Sequence, residues 1–121
     1  MQDFRKLKVW QRAQDACVRI YRATADYPID ERYGLTSQLR RAGVSVGANL
    51  AEGAKRSSKA DKRRLWEVAL GSAAEIMSEL DVAVRLRYPN NEEGVKLARE
   101  YDEIAAMLNG LIDCLKGDDK K

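Results

Sequence analysis

Apolar residues recur at a helical period along the whole chain. Leu97, Tyr101, Ile104, Leu108, Leu111 and Leu115 alternate steps of four and three, which is a heptad seam. Trp66, Ala69, Ala73, Ile76, Leu80 and Ala83 do the same, and Leu70, Met77 and Val84 widen that stripe. Nearer the start, Leu7, Trp10, Ala13, Cys17, Ile20, Tyr21 and Thr24 fall on one broad face at 100° per residue. Between these segments, Leu39, Val46 and Leu50 lie beside a row of small residues. No stretch alternates at period two, so no strand is expected.

Punctuation divides this pattern into four helices. The first covers about residues 4–27 and stops at Asp26-Tyr27-Pro28. Asp30 is the expected cap of the second, which runs to about Gly53. Ser58 with Asp61 resembles a capping box and opens the third, which continues to about Arg87. After "YPNNEEG", Asn91 followed by Glu92 and Glu93 suits the positive end of a fourth helix, and Gly117 suits its stop. Four helices of about 20–28 residues with short links predict an all-α protein, an antiparallel up-and-down four-helix bundle about 30–40 Å long. The chain of 121 residues is then one domain over 1–117 with a frayed polar tail over 118–121.

Glycine costs a helix interior about 1 kcal/mol relative to alanine, yet "RRAGVSVGANLAEGAKR" holds three. Gly43, Gly47, Ala51 and Ala54 share one face. Such a face lets another helix approach closely, whether from the same chain or from a neighbouring subunit. The alternative is a ligand lying against bare backbone. Arg41, Ser45, Asn49, Glu52 and Arg56 occupy the other side. Glu52 and Arg56 are spaced to pair, and Ser45 and Asn49 are candidates to hydrogen-bond across a subunit interface. Gly43, Gly47, Ala51, Asn49 and Glu52 are therefore the candidate residues for helix packing or self-association.

The absence of histidine changes the functional picture most. It removes the commonest general base and metal ligand, the Glu-x-x-His pairs of di-iron bundles, and the Arg-x4-His signature of helical HEPN ribonucleases. No Walker loop, HExxH or paired Cys-x-x-Cys occurs. Glu75 and Glu79 are spaced i, i+4, a pattern common on solvated faces. The expectation is a protein that is not an enzyme and needs no metal or cofactor. Cys17 and Cys114 stand alone, as reduced core thiols do. With no apolar signal segment and no apolar run near the ~20 residues of a membrane span, the expected location is the cytoplasm, without membrane contact.

The net charge of +3 hides an asymmetry. Residues 1–66 carry 15 Lys and Arg against 7 Asp and Glu, whereas residues 67–121 carry 7 against 12. In an up-and-down bundle the start of the first helix and the turn between the second and third share an end. That end gathers Arg5, Lys6, Lys8, Arg12, Lys55, Arg56, Lys59, Lys62, Arg63 and Arg64. Cations in the first turns of a helix oppose its dipole, by about 0.3–1 kcal/mol each, so local stability does not select them there. A polyanion does, and nucleic acid is the obvious one. The competing reading is a solvated face, or a protein scaffold whose basic end docks on an acidic partner. Trp10 and Trp66 are able to stack on bases, but their wheel positions favour the core.

The runs "YGLTSQLRRAGVSVGANLAEGAKRSS" and "LWEVALGSAAEIMSELDVA", with "FRKLKVWQRAQDACVRIY" before and "EIAAMLNGLIDCL" after, resemble the four-helix-bundle family of 23S rRNA intervening-sequence proteins. Leu35 to Gln38, Arg40 to Ala42, Asn49 to Gly53 and Gly71-Ser72 with Glu75 carry the likeness most specifically. Family members often have proline where this chain has Gly47. The resemblance implies an up-and-down bundle assembling into a homopentamer. It also implies kinship with the accessory variability protein of diversity-generating retroelements, a basic barrel that binds a reverse transcriptase and nucleic acid. The family itself has no agreed activity.

Overall fold

The computed structural model of the chain describes residues 3–119. Four helices pack together: α1 (Lys8–Thr24), α2 (Leu35–Ala54), α3 (Lys59–Arg85) and α4 (Asn91–Asp119). Short 3-10 turns cover Phe4–Lys6 and Ile29–Glu31, and no strand occurs among the described residues.

The first segment is not one helix. Leu7 takes an extended backbone, so Phe4–Lys6 forms a separate turn capped by the Asp3 carboxylate on the Arg5 amide. At the other end α1 stops at Thr24, before Tyr27. The cap expected at Asp30 is supplied instead by Glu31, whose Oε1 accepts from the Leu35 amide at 3.1 Å. Asp30 sits within the 3-10 turn, out of register for that role. Ser58 does cap α3, accepting from the Asp61 amide at 3.3 Å. That helix ends at Arg85, two residues short of expectation, because Arg87 and Asn90 take positive φ of 58° and 65°. The Tyr88 amide then donates to Ala83 O and the Arg87 amide to Val84 O, the paired closure of a Schellman turn. Gly117 does not stop α4, which continues to Asp119. A glycine ends a helix through a left-handed residue, and no glycine among the described residues has positive φ. The rest of the tail, Lys120 and Lys121, lies outside the described residues.

The core follows the predicted stripes. Every member of the Trp66-to-Ala83 series is buried, and so are Leu97, Tyr101, Ile104 and Leu108. Tyr21 is an exception on α1, 42% exposed, while the unpredicted Val9, Ala16 and Ala23 are buried. The apolar face of α1 is thus turned by a fraction of a helical turn. Cys17 is buried, and burial pushes its thiol pKa up; Cys114 is exposed.

The glycines serve packing within the chain. A Cβ on Gly43 would come within 3.2 Å of Cys17 Sγ and Ile20 Cδ1 on α1. One on Gly47 would collide with the Gln14 amide. One on Gly53 would lie 2.7 Å from the Trp66 indole, whose N–H donates to the Leu50 carbonyl at 3.2 Å. Ser45 and Asn49 also bond inward: the Ser45 and Ser72 hydroxyls meet at 2.9 Å, and Asn49 donates to Ser45. The Asn49 amide nitrogen and both hydroxyls thus have partners within the chain.

At one end the α2–α3 turn approaches the first residues, with the Lys55 ammonium 5.5 Å from the Phe4 ring centroid. At the other, Asn90 donates to Ala23 O and Asp26, the Tyr27 and Tyr88 rings lie 5.3 Å apart, and the Tyr88 hydroxyl donates to Glu31. The Gly53 and Gly71 sites separate steric from intrinsic effects. Gly53→Ala forces the Trp66 indole to move and is expected to cost about 1–3 kcal/mol. A Cβ on Gly71 meets nothing within 4 Å, so Gly71→Ala is expected to gain about 0.5–1 kcal/mol. Thermal denaturation of the two variants checks both signs.

Candidate nucleic-acid interface

Backbone packing brings the cationic segments together, but it does not leave all their charges available. Arg12 is turned away from solvent towards α4. Its guanidinium grips Glu100 through two bonds of 2.6 and 2.9 Å, and also pairs with Glu103. Those carboxylates raise the Arg12 pKa further, and Arg12 lowers that of Glu100 in return. Two turns further along α1, Arg19 holds Glu93 by two bonds of 2.9 Å. These pairs strap α1 to α4, and Arg12 is a strap residue rather than part of an open cationic surface.

The other named cations divide by their neighbours. Arg5 pairs with Asp3 at 3.3 Å, Arg56 with Glu52 at 3.0 Å, and Arg63 approaches Glu67 at 3.9 Å. Such solvent-exposed pairs are worth little and exchange readily for a phosphate. Lys62 and Lys59 lie at the opening of α3, and the Lys62 ammonium sits 5.6 Å above the Trp66 ring. Lys6, Lys8, Lys55 and Arg64 are exposed. Trp66 is 2% exposed and fills the core, as its wheel position implied. Trp10 is only half buried; its indole meets the Phe4 ring edge-on at 5.0 Å, with Arg5 and Lys55 over that ring. The sequence singled out the charges and both tryptophans but missed Phe4. Its position three residues before Leu7 was the available signal, since it places an aromatic ring inside the cationic segment.

The candidate packing residues lie along α2. Gly43 and Gly47 are buried against α1, Ala51 is half buried, Asn49 bonds within α2, and Glu52 accepts from Arg56 just past its end. Glu75 is exposed, as a solvated face requires, but Glu79 departs from that expectation. Glu79 is 9% exposed, and its Oε1 has no hydrogen-bond partner. Burial first, and then the neighbouring Glu75 carboxyl, push its pKa up to about 7. Leu65, Ser72 and Glu79 are spaced by seven and all buried, a register the sequence contained. No group of three or more metal-binding side chains occurs among the described residues, and no described helix is long and apolar enough to cross a membrane.

Comparison with known proteins agrees with this architecture. A family model described as 23S rRNA-intervening sequence protein matches residues 5–110. A crystal structure of a protein of unknown function from the S23 ribosomal protein family of Bacteroides thetaiotaomicron superposes with a TM-score of 0.76. The two are 26% identical, and the match covers 86% of this chain and 97% of that one. No curated protein matches the chain.

Glu79 makes stability depend on pH. Its carboxyl holds a proton more tightly when folded, near 7, than when unfolded, near 4.5. Stability is therefore full below about pH 4.5 as far as this group is concerned, and falls as pH rises through 7. Glu79→Gln is expected to stabilise the fold by about 1–3 kcal/mol at pH 8 and to leave it unchanged at pH 4.5. Denaturant titration of both proteins across that range measures it.

Proposed function

Because the chain belongs to the 23S rRNA-intervening sequence protein family, we propose that it is a non-catalytic helical bundle that holds RNA or DNA by its phosphates at one basic end. In this reading successive helices run in opposite directions, so the start of α1 and the α2–α3 turn are neighbours. The contact of Lys55 with the Phe4 ring carries the reading, since it joins the two cationic segments. The order of the straps supports it too: Arg12 reaches Glu100 and Glu103, whereas Arg19, later on α1, reaches the earlier Glu93. Lys6, Lys8, Lys55 and Arg64 stand exposed around that end. Like charges gathered there repel one another, and a phosphate backbone relieves the repulsion. Contacts to phosphate position a strand without reading its sequence.

Self-assembly into a ring, pentameric as the family resemblance implies, belongs to the same reading. Val18, Tyr21 and Val44 leave an apolar strip exposed on α1 and α2, and α3 exposes Val68 and Val82, with Leu86 just past its end. Exposed apolar surface of this kind marks association. A ring multiplies the field of each basic end. The same strips favour the second reading, a scaffold that docks a protein, a reverse transcriptase among the candidates. The cytoplasm is the proposed setting, where two unpaired thiols persist.

Binding to a duplex DNA fragment is expected to fall with salt at a log–log slope of about −4 or steeper. Lys6→Glu, Lys8→Glu and Arg64→Glu together are expected to weaken all sequences alike and to flatten that slope. Arg12→Gln is expected to lower thermal stability instead, with the slope retained. A slope near zero, with recovery of a stoichiometric protein partner, would favour the scaffold. For assembly, light scattering is expected to give several times the monomer mass at micromolar concentration; a folded monomer would rule it out.

A further inference from the structure

Beside the exposed cations lies a pocket of about 260 Å³ between α1 and α2. Phe4 and Trp10 line it together with Val44, Gly47, Ala48 and Ala51 of α2. The Gln14 amide occupies the space over Gly47, and the pocket stays open beside it because Ala48 and Ala51 are small. Lining it, Gln14 carries an amide that both donates and accepts, and Trp10 an indole N–H that only donates. Cations adjoin it: the Arg5 guanidinium and the Lys55 ammonium lie 5.6 and 5.5 Å from the centroid of the Phe4 ring, one of its lining residues. A largely apolar pocket with two aromatic rings in its lining, hydrogen-bonding groups and adjacent cations suits a nucleobase whose phosphates lie outside.

We infer that the basic end takes single-stranded nucleic acid, with one unpaired base inserted between the Phe4–Trp10 wall and the small residues of α2. The inference rests on the phosphate-binding reading above and adds the strandedness of the ligand. A duplex keeps its base faces stacked and offers none to the pocket. The base takes the place of the cations over the Phe4 ring. Arg5 and Lys55 then move onto the flanking phosphates, which cost little to reach because both side chains are solvent-exposed. Recognition is of a π-face, so all four bases enter, and purines, with more area to stack, enter more tightly.

The test uses three probes of equal phosphate count at low salt: a 12-nucleotide strand, the same strand with abasic residues, and a duplex. The intact strand is expected to bind about tenfold more tightly per site than the abasic one, with quenching of indole fluorescence. Phe4→Leu removes the aromatic wall. Ala48→Leu, at an exposed helical position, fills the pocket without touching the core, and circular dichroism confirms that each variant is folded. Each is expected to erase the advantage of the intact strand, and Ala48→Leu, which touches none of the cations, to leave abasic binding unchanged. Equal affinity for intact and abasic strands would overturn the pocket and leave phosphate binding standing. Binding to none of the three would overturn both.

Discussion

The bare backbone of Gly53 beneath the Trp66 indole is the contact on which the basic end depends. It closes the α2–α3 turn tightly, and the indole N–H satisfies a carbonyl of α2 in the same step. Burial of an indole contributes several kcal/mol, well above the mutual repulsion of a few solvated lysines. The turn therefore holds Lys55 to Arg64 in place although their charges oppose it and oppose the dipole of α3. Phe4 and Trp10 do the same for the opening segment, with Lys55 spanning the two. Apolar packing thus assembles a cationic surface that electrostatics alone would scatter.

Helix identity was legible because the stripes on α3 and α4 repeat over many turns, so small errors in any one position do not matter. Ends were less so. Glu31 outcompetes Asp30 as a cap because the chain makes an extra 3-10 turn that shifts the register by one residue. Gly117 looked like a stop, but a stop also needs a left-handed residue, which sequence does not display. The non-glycine residues Arg87 and Asn90 supply that conformation elsewhere.

At the candidate site, charge type was legible and charge availability was not. Arg12 reads as one more cation in a basic run. Its carboxylate partners are 88 and 91 residues away, a separation that no local pattern encodes. Glu79 fails for a related reason: an i, i+4 pair of acids looks solvated until the facing helix is known. The pocket beside Phe4 depends on three separate segments meeting, and only the glycine on its floor advertised that something was unusual there. Membership of the family and the likeness to the Bacteroides protein speak for the bundle, whereas the reading of the basic end rests on these contacts.

The two thiols, one buried and one open, give the molecule a built-in clock. Cys114 on the outer side of α4 accepts an alkylating label at once, whereas Cys17 lies against α2 next to Gly43. The slower thiol becomes reactive only while α1 lifts from its neighbour, an event governed by the glycine contacts and the arginine straps together. Mass spectrometry of timed labelling thus reads the breathing of one helix, with the faster sulfur as its internal standard.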